Sequence, residues 1–280
     1  MKQHNIISIL CEDQAKMGYK DKIFSAQHGF SAFIEAGKRI LFDTGPTGVF
    51  ADNASLLGID LKTTDMIVLS HGHWDHANGL ETLEAGDFPR IPLLVHPGAF
   101  VDRRKATGEY NGIFCSKEAL AEKFELILSK GPYRISDAIY FLGEIPRLND
   151  FEAKMTSFFY FDNGEKVQDF ILDDTALAVK TAKGLVIVAG CSHSGICNII
   201  EYARHVTHEG KVHAVLGGFH LLGDQAQLDR TIDFFQRNRV ENLYPMHCTD
   251  LPSLAKFYTS FGIKKLCTGD RIFFNTENHG

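Results

Sequence analysis

At 280 residues the chain exceeds the commonest domain size yet fits one large domain, 1–280, with a single core. A hydrophobic fraction of 44%, a charged fraction of 23% and a net charge of −6 are ordinary for a soluble globular protein and argue against nucleic acid as its main partner. The apolar stretch 6–10 is too short for a signal-peptide core and no run approaches a membrane span. Six scattered cysteines without a C-x-x-C pair complete the expectation of a reduced, cytoplasmic protein that meets no membrane.

In chain order, 6–10 reads as a first strand. The runs 30–35 and 39–42 flank Ala36-Gly37-Lys38 as a hairpin, and the second ends at Asp43-Thr44-Gly45. Residues 53–61 carry Ala54, Leu57 and Leu61 at helical spacing. Next comes Met66-Ile67-Val68-Leu69, a buried strand running into Ser70-His71-Gly72-His73-Trp74-Asp75-His76. In an extended segment His71 and His73 point the same way, while Asp75 and His76 follow after the chain turns. The spacing suits two neighbouring divalent metals. A histidine-rich surface loop is the bland alternative, and three imidazoles with a carboxylate in so few residues weigh against it.

After this motif a short helix opens at Asn78 and stops at Gly86. A strand at 91–95 ends at His96-Pro97, and His96 reads as packed rather than as a ligand. Periodicity then fails over 98–116, a segment carrying Arg103, Arg104 and Lys105. A loop covering an anionic substrate and a solvated surface loop both fit it. Further strands fall at 126–128 and 138–142, and a link near 145 divides the chain into halves 1–145 and 146–280. Residues 174–179 pair across Ala182-Lys183-Gly184 with 185–188, ending at Gly190. A helix over 194–206 is apolar at Ile196, Ile199, Ile200 and Ala203. The strand 212–216 runs into Gly217-Gly218-Phe219-His220, and Asp224 caps a helix striped by Leu228, Ile232 and Phe235. Leu243-Tyr244-Pro245-Met246 ends at His247, after which Thr249 or Asp250 caps a helix with Pro252 in its first turn. Ile272-Phe273-Phe274 is the last strand. Strands alternating with helices make the fold mixed α/β.

His193, His220 and His247 each follow an apolar strand and precede a helix, which puts all three at one edge with the first motif. Rival chemistries lack their signatures. Gly190-Cys191-Ser192-His193-Ser194 fails the G-x-S-x-G pattern at its last position, and no phosphate-binding or dinucleotide-binding glycine loop is present.

The His-x-His-x-Asp-His motif is the signature of the metallo-β-lactamase superfamily, and the chain resembles it nearly throughout. Asp43-Thr44-Gly45, Gly190-Cys191-Ser192-His193, Gly217-Gly218-Phe219-His220 and Met246-His247-Cys248-Thr249 look like one branch of it, as do Gln27-His28-Gly29-Phe30-Ser31 and Gly143-Glu144-Ile145-Pro146-Arg147. That branch holds predicted metal-dependent hydrolases, some described as dihydropterin–ribofuranosylaminobenzene-phosphate synthases. The resemblance implies a four-layer αββα sandwich of two similar halves. It also implies two divalent metals, with His71, His73 and His193 on one and Asp75, His76 and His247 on the other, and Asp43 orienting a ligand ring from behind.

Two departures stand out. Many members carry Gly-His-Thr where this chain has Asp173-Asp174-Thr175, and a metal-bridging Gly-Asp where it has Gly190-Cys191. Cys191 as thiolate, Asp174, or His193 can fill the gap. The expectation is that His193 does, so that replacing Cys191 or Asp174 leaves the metals in place. Diiron oxygen-reducing relatives have glutamate at the position of His73. Imidazole there favours the hydrolytic type, with zinc first and manganese or iron as alternatives. A metal-bound hydroxide would then attack an anionic ester, most plausibly a phosphoester, with Asp75 orienting it and His220 as general acid or substrate contact. The alternatives are a pterin-linked condensing transferase and a non-catalytic metal-binding or sensor module.

Overall fold

Along almost every strand, alternate side chains enter different apolar layers. The computed structural model describes residues 4–18, 23–83 and 88–275. Six strands open the chain: β1 (His4–Cys11), β2 (Ser31–Glu35), β3 (Arg39–Phe42), β4 (Met66–Val68), β5 (Pro92–Val95) and β6 (Glu125–Leu128). Then come β7 (Tyr133–Arg134), β8 (Ile139–Phe141), the separate hairpin β9 (Phe159–Asp162) and β10 (Glu165–Gln168), β11 (Ala176–Thr181), β12 (Gly184–Ala189), β13 (Val212–Gly218), β14 (Asn242–Met246) and β15 (Arg271–Asn275). The helices are α1 (Val49–Leu56), α2 (Trp74–Ala77), α3 (Lys117–Lys123), α4 (Ile196–Thr207), α5 (Gln225–Asn238) and α6 (Leu251–Phe261).

One sheet runs β15-β1-β2-β3-β4-β5-β6 and the other β14-β13-β12-β11-β8-β7. Val68, Leu94, Leu177 and Val179 belong to the layer between the sheets. Their neighbours Ile67 and Leu93 face outward with Phe50 of α1 and Leu120 of α3. Ala176 and Ala178 face outward with Ile199 and Ile200 of α4, Phe235 of α5 and Phe257 of α6. Period-two alternation in strands buried on both faces therefore builds the αββα sandwich. No helix among the described residues is long and apolar enough to cross a membrane.

The change of sheet comes before the expected link near 145. β7 and β8 already lie in the second sheet, where β8 pairs with β11. At the other end, β15 leaves the second half and pairs antiparallel with β1, covering an edge that would otherwise be open. Helix α1 starts before the expected 53, and α3 and the β9–β10 hairpin were not anticipated. Gly86, the expected helix stop, lies outside the described residues.

The plan matters to function through direction. β3, β4 and β5 are parallel, and so are β12, β13 and β14. Their carboxyl ends share an edge in each sheet, where ligands of open α/β sheets generally bind. Asp43, His71, His96, Cys191, Phe219 and His247 all follow such strand ends.

Candidate metal centre

The motif after β4 bends at Gly72 between the two histidines and then winds into α2. Gly72 is forced by space, because a Cβ there would lie 2.1 Å from the carbonyl oxygen of Ala99. Its N–H donates to Asp173 Oδ2 at 2.8 Å, which fixes the backbone between the two imidazoles. The rings of His71 and His73 are 4.5 Å apart between centroids, and that of His193 lies 4.9 Å from His71 and 4.8 Å from His73. The Nε2 atoms of all three, and of His247, are buried without a hydrogen-bond partner. Buried polar atoms are nearly always paired, so four unpaired imidazole nitrogens converging from three strand ends are a set of donors for a cation.

The far nitrogens of His71, His76 and His247 are held. Asp43 Oδ1 accepts from Ser70 N at 2.7 Å, and Asp43 Oδ2 accepts from Ser70 Oγ at 2.6 Å and from His76 Nδ1 at 2.7 Å. Ser70 Oγ in turn lies 2.9 Å from His71 Nδ1. With both Nδ1 atoms carrying the proton, Asp43 leaves both Nε2 lone pairs free, which is the orienting role expected of it. Across the site Asp13 does the same for His247, whose Nδ1 lies 2.7 Å from Asp13 Oδ1. The second oxygen of Asp13 lies 3.1 Å from His28 Nδ1. His247 Nε2 and His28 Nε2 then lie 3.3 Å and 3.5 Å from Asp75 Oδ2, and His76 Nε2 lies 3.9 Å from it. The rings of His71, His73 and His193 thus neighbour one another, the ring of His76 lies 4.3 Å from that of His71, and Asp75 Oδ2 lies within 3.9 Å of His76 and His247.

Of the three residues competing for the altered second-half motif, the geometry separates them. Asp174 Oδ2 accepts from Ser194 N at 2.9 Å and from Ser194 Oγ, so it braces the loop that carries His193. Cys191 Sγ lies 3.1 Å from His76 Nε2. Donor atoms of His71, Cys191 and His193 all fall within 4.8 Å of one another, and so do those of His76, Cys191 and His247. The sulfur is common to both groups. The Cys191 side chain therefore lies between the two clusters, within ligand distance of both.

Burial holds His71, His73 and His193 well below the usual imidazole range, with neighbouring imidazoles adding to it. They are neutral and present lone pairs. Burial would also lower His247, but the hydrogen bond to Asp13 and the negative charge of the nearby Asp75 outweigh it and raise it well above its ordinary value. Asp75 is pushed up by burial and pulled down more strongly by His76 and His247, to about 2. The surroundings of His247 thus favour a positive charge. Burial raises the Cys191 thiol, so ionisation there requires a cation beside it.

Four non-glycine residues at this edge have left-handed backbone: Asp43 (φ 56°), Ser192 (φ 62°), His220 (φ 39°) and His247 (φ 42°). Such strain costs on the order of 1–3 kcal/mol per residue and gathers at functional sites. His220 packs its ring 4.2 Å from His193 and, with Phe158 and Lys154, lines a cavity of about 270 Å³ opening on the cluster. Burial lowers His220 to about 4, which keeps it neutral.

The basic loop does not face this cavity. Arg103 is 1% exposed and bound between Asp169 and Asp173, because a buried guanidinium needs counter-charges. Arg104 pairs with Asp102 and Lys105 with Glu109. The segment instead braces the motif, with Asn111 O accepting from Trp74 N at 3.4 Å and Asn78 Oδ1 accepting from Phe114 N at 3.0 Å. Asp13 and Cys191 are the residues that sequence reasoning missed or set aside. Asp13 is 234 positions from His247, and no local pattern marks the pair.

Residues 26–97 match the family model of the metallo-beta-lactamase superfamily. An uncharacterized protein of Methanocaldococcus jannaschii is 39% identical over 254 residues, covering 90% of this chain and 93% of that protein. A second protein of the same organism, 36% identical and covered to 91% on both sides, is named 7,8-dihydropterin-6-methyl-4-(β-D-ribofuranosyl)-aminobenzene-5′-phosphate synthase. The crystal structure of a metal-dependent hydrolase of the β-lactamase superfamily superposes with a TM-score of 0.85 at 29% identity, over 97% of this chain and all (100%) of that one.

Proposed function

The chain belongs to the metallo-β-lactamase superfamily, and from that premise we propose that it is a metal-dependent hydrolase of an anionic ester, most simply a phosphoester. The observation that carries the reading is the set of buried, unpartnered Nε2 atoms of His71, His73, His193 and His247. His71, His73 and His193 would hold one divalent ion and Asp75, His76 and His247 a second, with Cys191 between them. A donor set of imidazoles, carboxylate and one thiol favours zinc over manganese or iron. Bound ions supply Lewis-acid activation of water and a clamp for an anionic oxygen. Asp75 would orient the attacking water. His220, which lines the cavity, would serve as general acid or substrate contact, and Lys154 would supply a cation for an anionic small-molecule substrate. Neither nucleic acid nor a membrane enters the reading. Six free cysteines suit the cytoplasm, where thiols stay reduced.

The relative named as a synthase favours a second reading, a condensation joining a pterin to an aminobenzene ribotide. Elemental analysis after reconstitution with zinc, followed by assay on activated phosphoesters and on a dihydropterin diphosphate with the ribotide, separates the two. The hydrolase reading expects more than one equivalent of metal per chain. It also expects phosphoester turnover that vanishes with chelator, returns with zinc or manganese, and is absent in His71→Ala. Condensation without phosphoester turnover establishes the second reading. Tight metal binding with neither activity leaves a sensor module, and absence of metal ends all three.

A further inference from the structure

Behind the metal cluster lies a second, larger cavity of about 440 Å³, within the usual size of small-molecule sites. Phe170 is a wall of both cavities, and Asp173, which receives the Gly72 N–H, closes the second on the side of the motif. The β9–β10 hairpin contributes Tyr160 and Gln168, and Val101 and Leu172 add apolar wall.

The polar groups here are arranged for an anion. Arg103 is committed to Asp169 and Asp173 inside the wall. Lys130 and Arg147, by contrast, pair with no carboxylate among the described residues, and Arg147 Nε is buried without a partner. Arg147 is held in place by donating Nη2–H to the carbonyl of Phe170. His96 is 2% exposed, and its Nδ1 accepts from Gly98 N at 3.0 Å, so the proton sits on Nε2. That Nε2–H is a buried donor without a hydrogen bond; Glu144 Oε2, 3.5 Å away, is the cavity's remaining carboxylate. Burial keeps His96 below its ordinary range, hence a neutral donor. Two cations and two orphaned N–H groups beside aromatic and aliphatic wall form an amphipathic pocket with an anion-binding end.

We propose that this cavity binds a small molecule with a flat, apolar body and one phosphate or carboxylate group, held by Lys130, Arg147 and the His96 Nε2–H. The site is separate from the metal ligands, so the proposal stands whether or not the hydrolase reading does.

Phenylphosphonate, an aromatic anion whose C–P bond resists hydrolysis, is a suitable probe for calorimetric titration of the full chain. Stoichiometric binding is expected in both metal-loaded and chelated protein, and unchanged in His71→Ala. Inorganic phosphate, lacking the ring, should bind more weakly. Arg147→Ala and Lys130→Glu should each weaken phenylphosphonate by about tenfold or more, the worth of a charged hydrogen bond. Lys130 is exposed, so that variant keeps its fold even where loss of the Arg147 bond to Phe170 disturbs the other. Binding confined to metal-loaded protein, binding unaffected by Lys130→Glu, or no binding by wild type overturns the proposal.

Discussion

Cys191 sits where two groups of candidate donors overlap, and its sulfur would set the character of an ion held there. Its nearest polar neighbour is His76 Nε2 at 3.1 Å, a nitrogen whose ring is already fixed by Asp43. An ion placed on His76 and His247 therefore meets the sulfur as well. We expect Cys191→Ala to weaken zinc binding, and cobalt-substituted wild type to show a thiolate-to-cobalt charge-transfer band that the variant lacks. A variant with full metal content and an unchanged spectrum would return the site to imidazole and carboxylate alone. Asp174 behaves differently, since both Ser194 contacts hold it in the loop and burial raises it from 3.8 to about 6. An acid raised in the folded state binds its proton more tightly than in the unfolded chain. Its contribution is fully present below about pH 4 and is lost as pH rises through about 6, amounting to up to about 3 kcal/mol across that window. In Asp174→Asn the amide carbonyl can still accept from Ser194 but does not titrate. Denaturant unfolding of the chelated proteins should show the variant gaining on wild type as pH rises through this range, and parallel curves would refute it.

Elements separate into those written locally and those that are not. The metal strand and its motif were legible because a buried apolar run followed by His-x-His-x-Asp-His is continuous in sequence, and β11–β12 because two apolar runs flank a two-residue turn. The hairpin β9–β10 was also written locally, in Asn163-Gly164, whose φ values of 49° and 85° suit the favoured tight hairpin turn. Its strands, Phe-Tyr-Phe-Asp and Glu-Lys-Val-Gln, are short and largely exposed, so alternation gave no core pattern to match. The course of loop 98–116 was not legible at all. Arg103 reads as a surface cation until Asp169 and Asp173, 66 and 70 positions away, are known to surround it. A charge cluster in sequence reports neither its burial nor its partners, which is why a substrate-covering loop and a solvated surface loop fitted the sequence equally well.

At the scale of the molecule, the cluster is a seam between the two sheets. His71, His73, Asp75 and His76 hang from the first sheet through β4, while Cys191, His193 and His247 hang from the second through β12 and β14. The apolar layer between the sheets holds their interiors together, whereas the edge bearing these side chains is built from left-handed residues and unpaired nitrogens. Bound ions would tie that edge, and they bind only the folded arrangement, so they stabilise it by mass action. At a free concentration one hundred times the dissociation constant the gain is about 2.7 kcal/mol for each ion, or roughly 5 °C per ion in unfolding temperature for a chain of this size. Chelation should therefore lower the unfolding temperature by about that much. It should also raise hydrogen exchange selectively at 70–78, 190–195 and 247–249, while β2 and β12 stay protected. His71→Ala should start from the lower temperature and respond less to chelator. If chelation instead loosens all strands equally, the ions support the whole core and not the seam. If it changes neither temperature nor exchange, the strand-end donors do not hold metal in the folded chain.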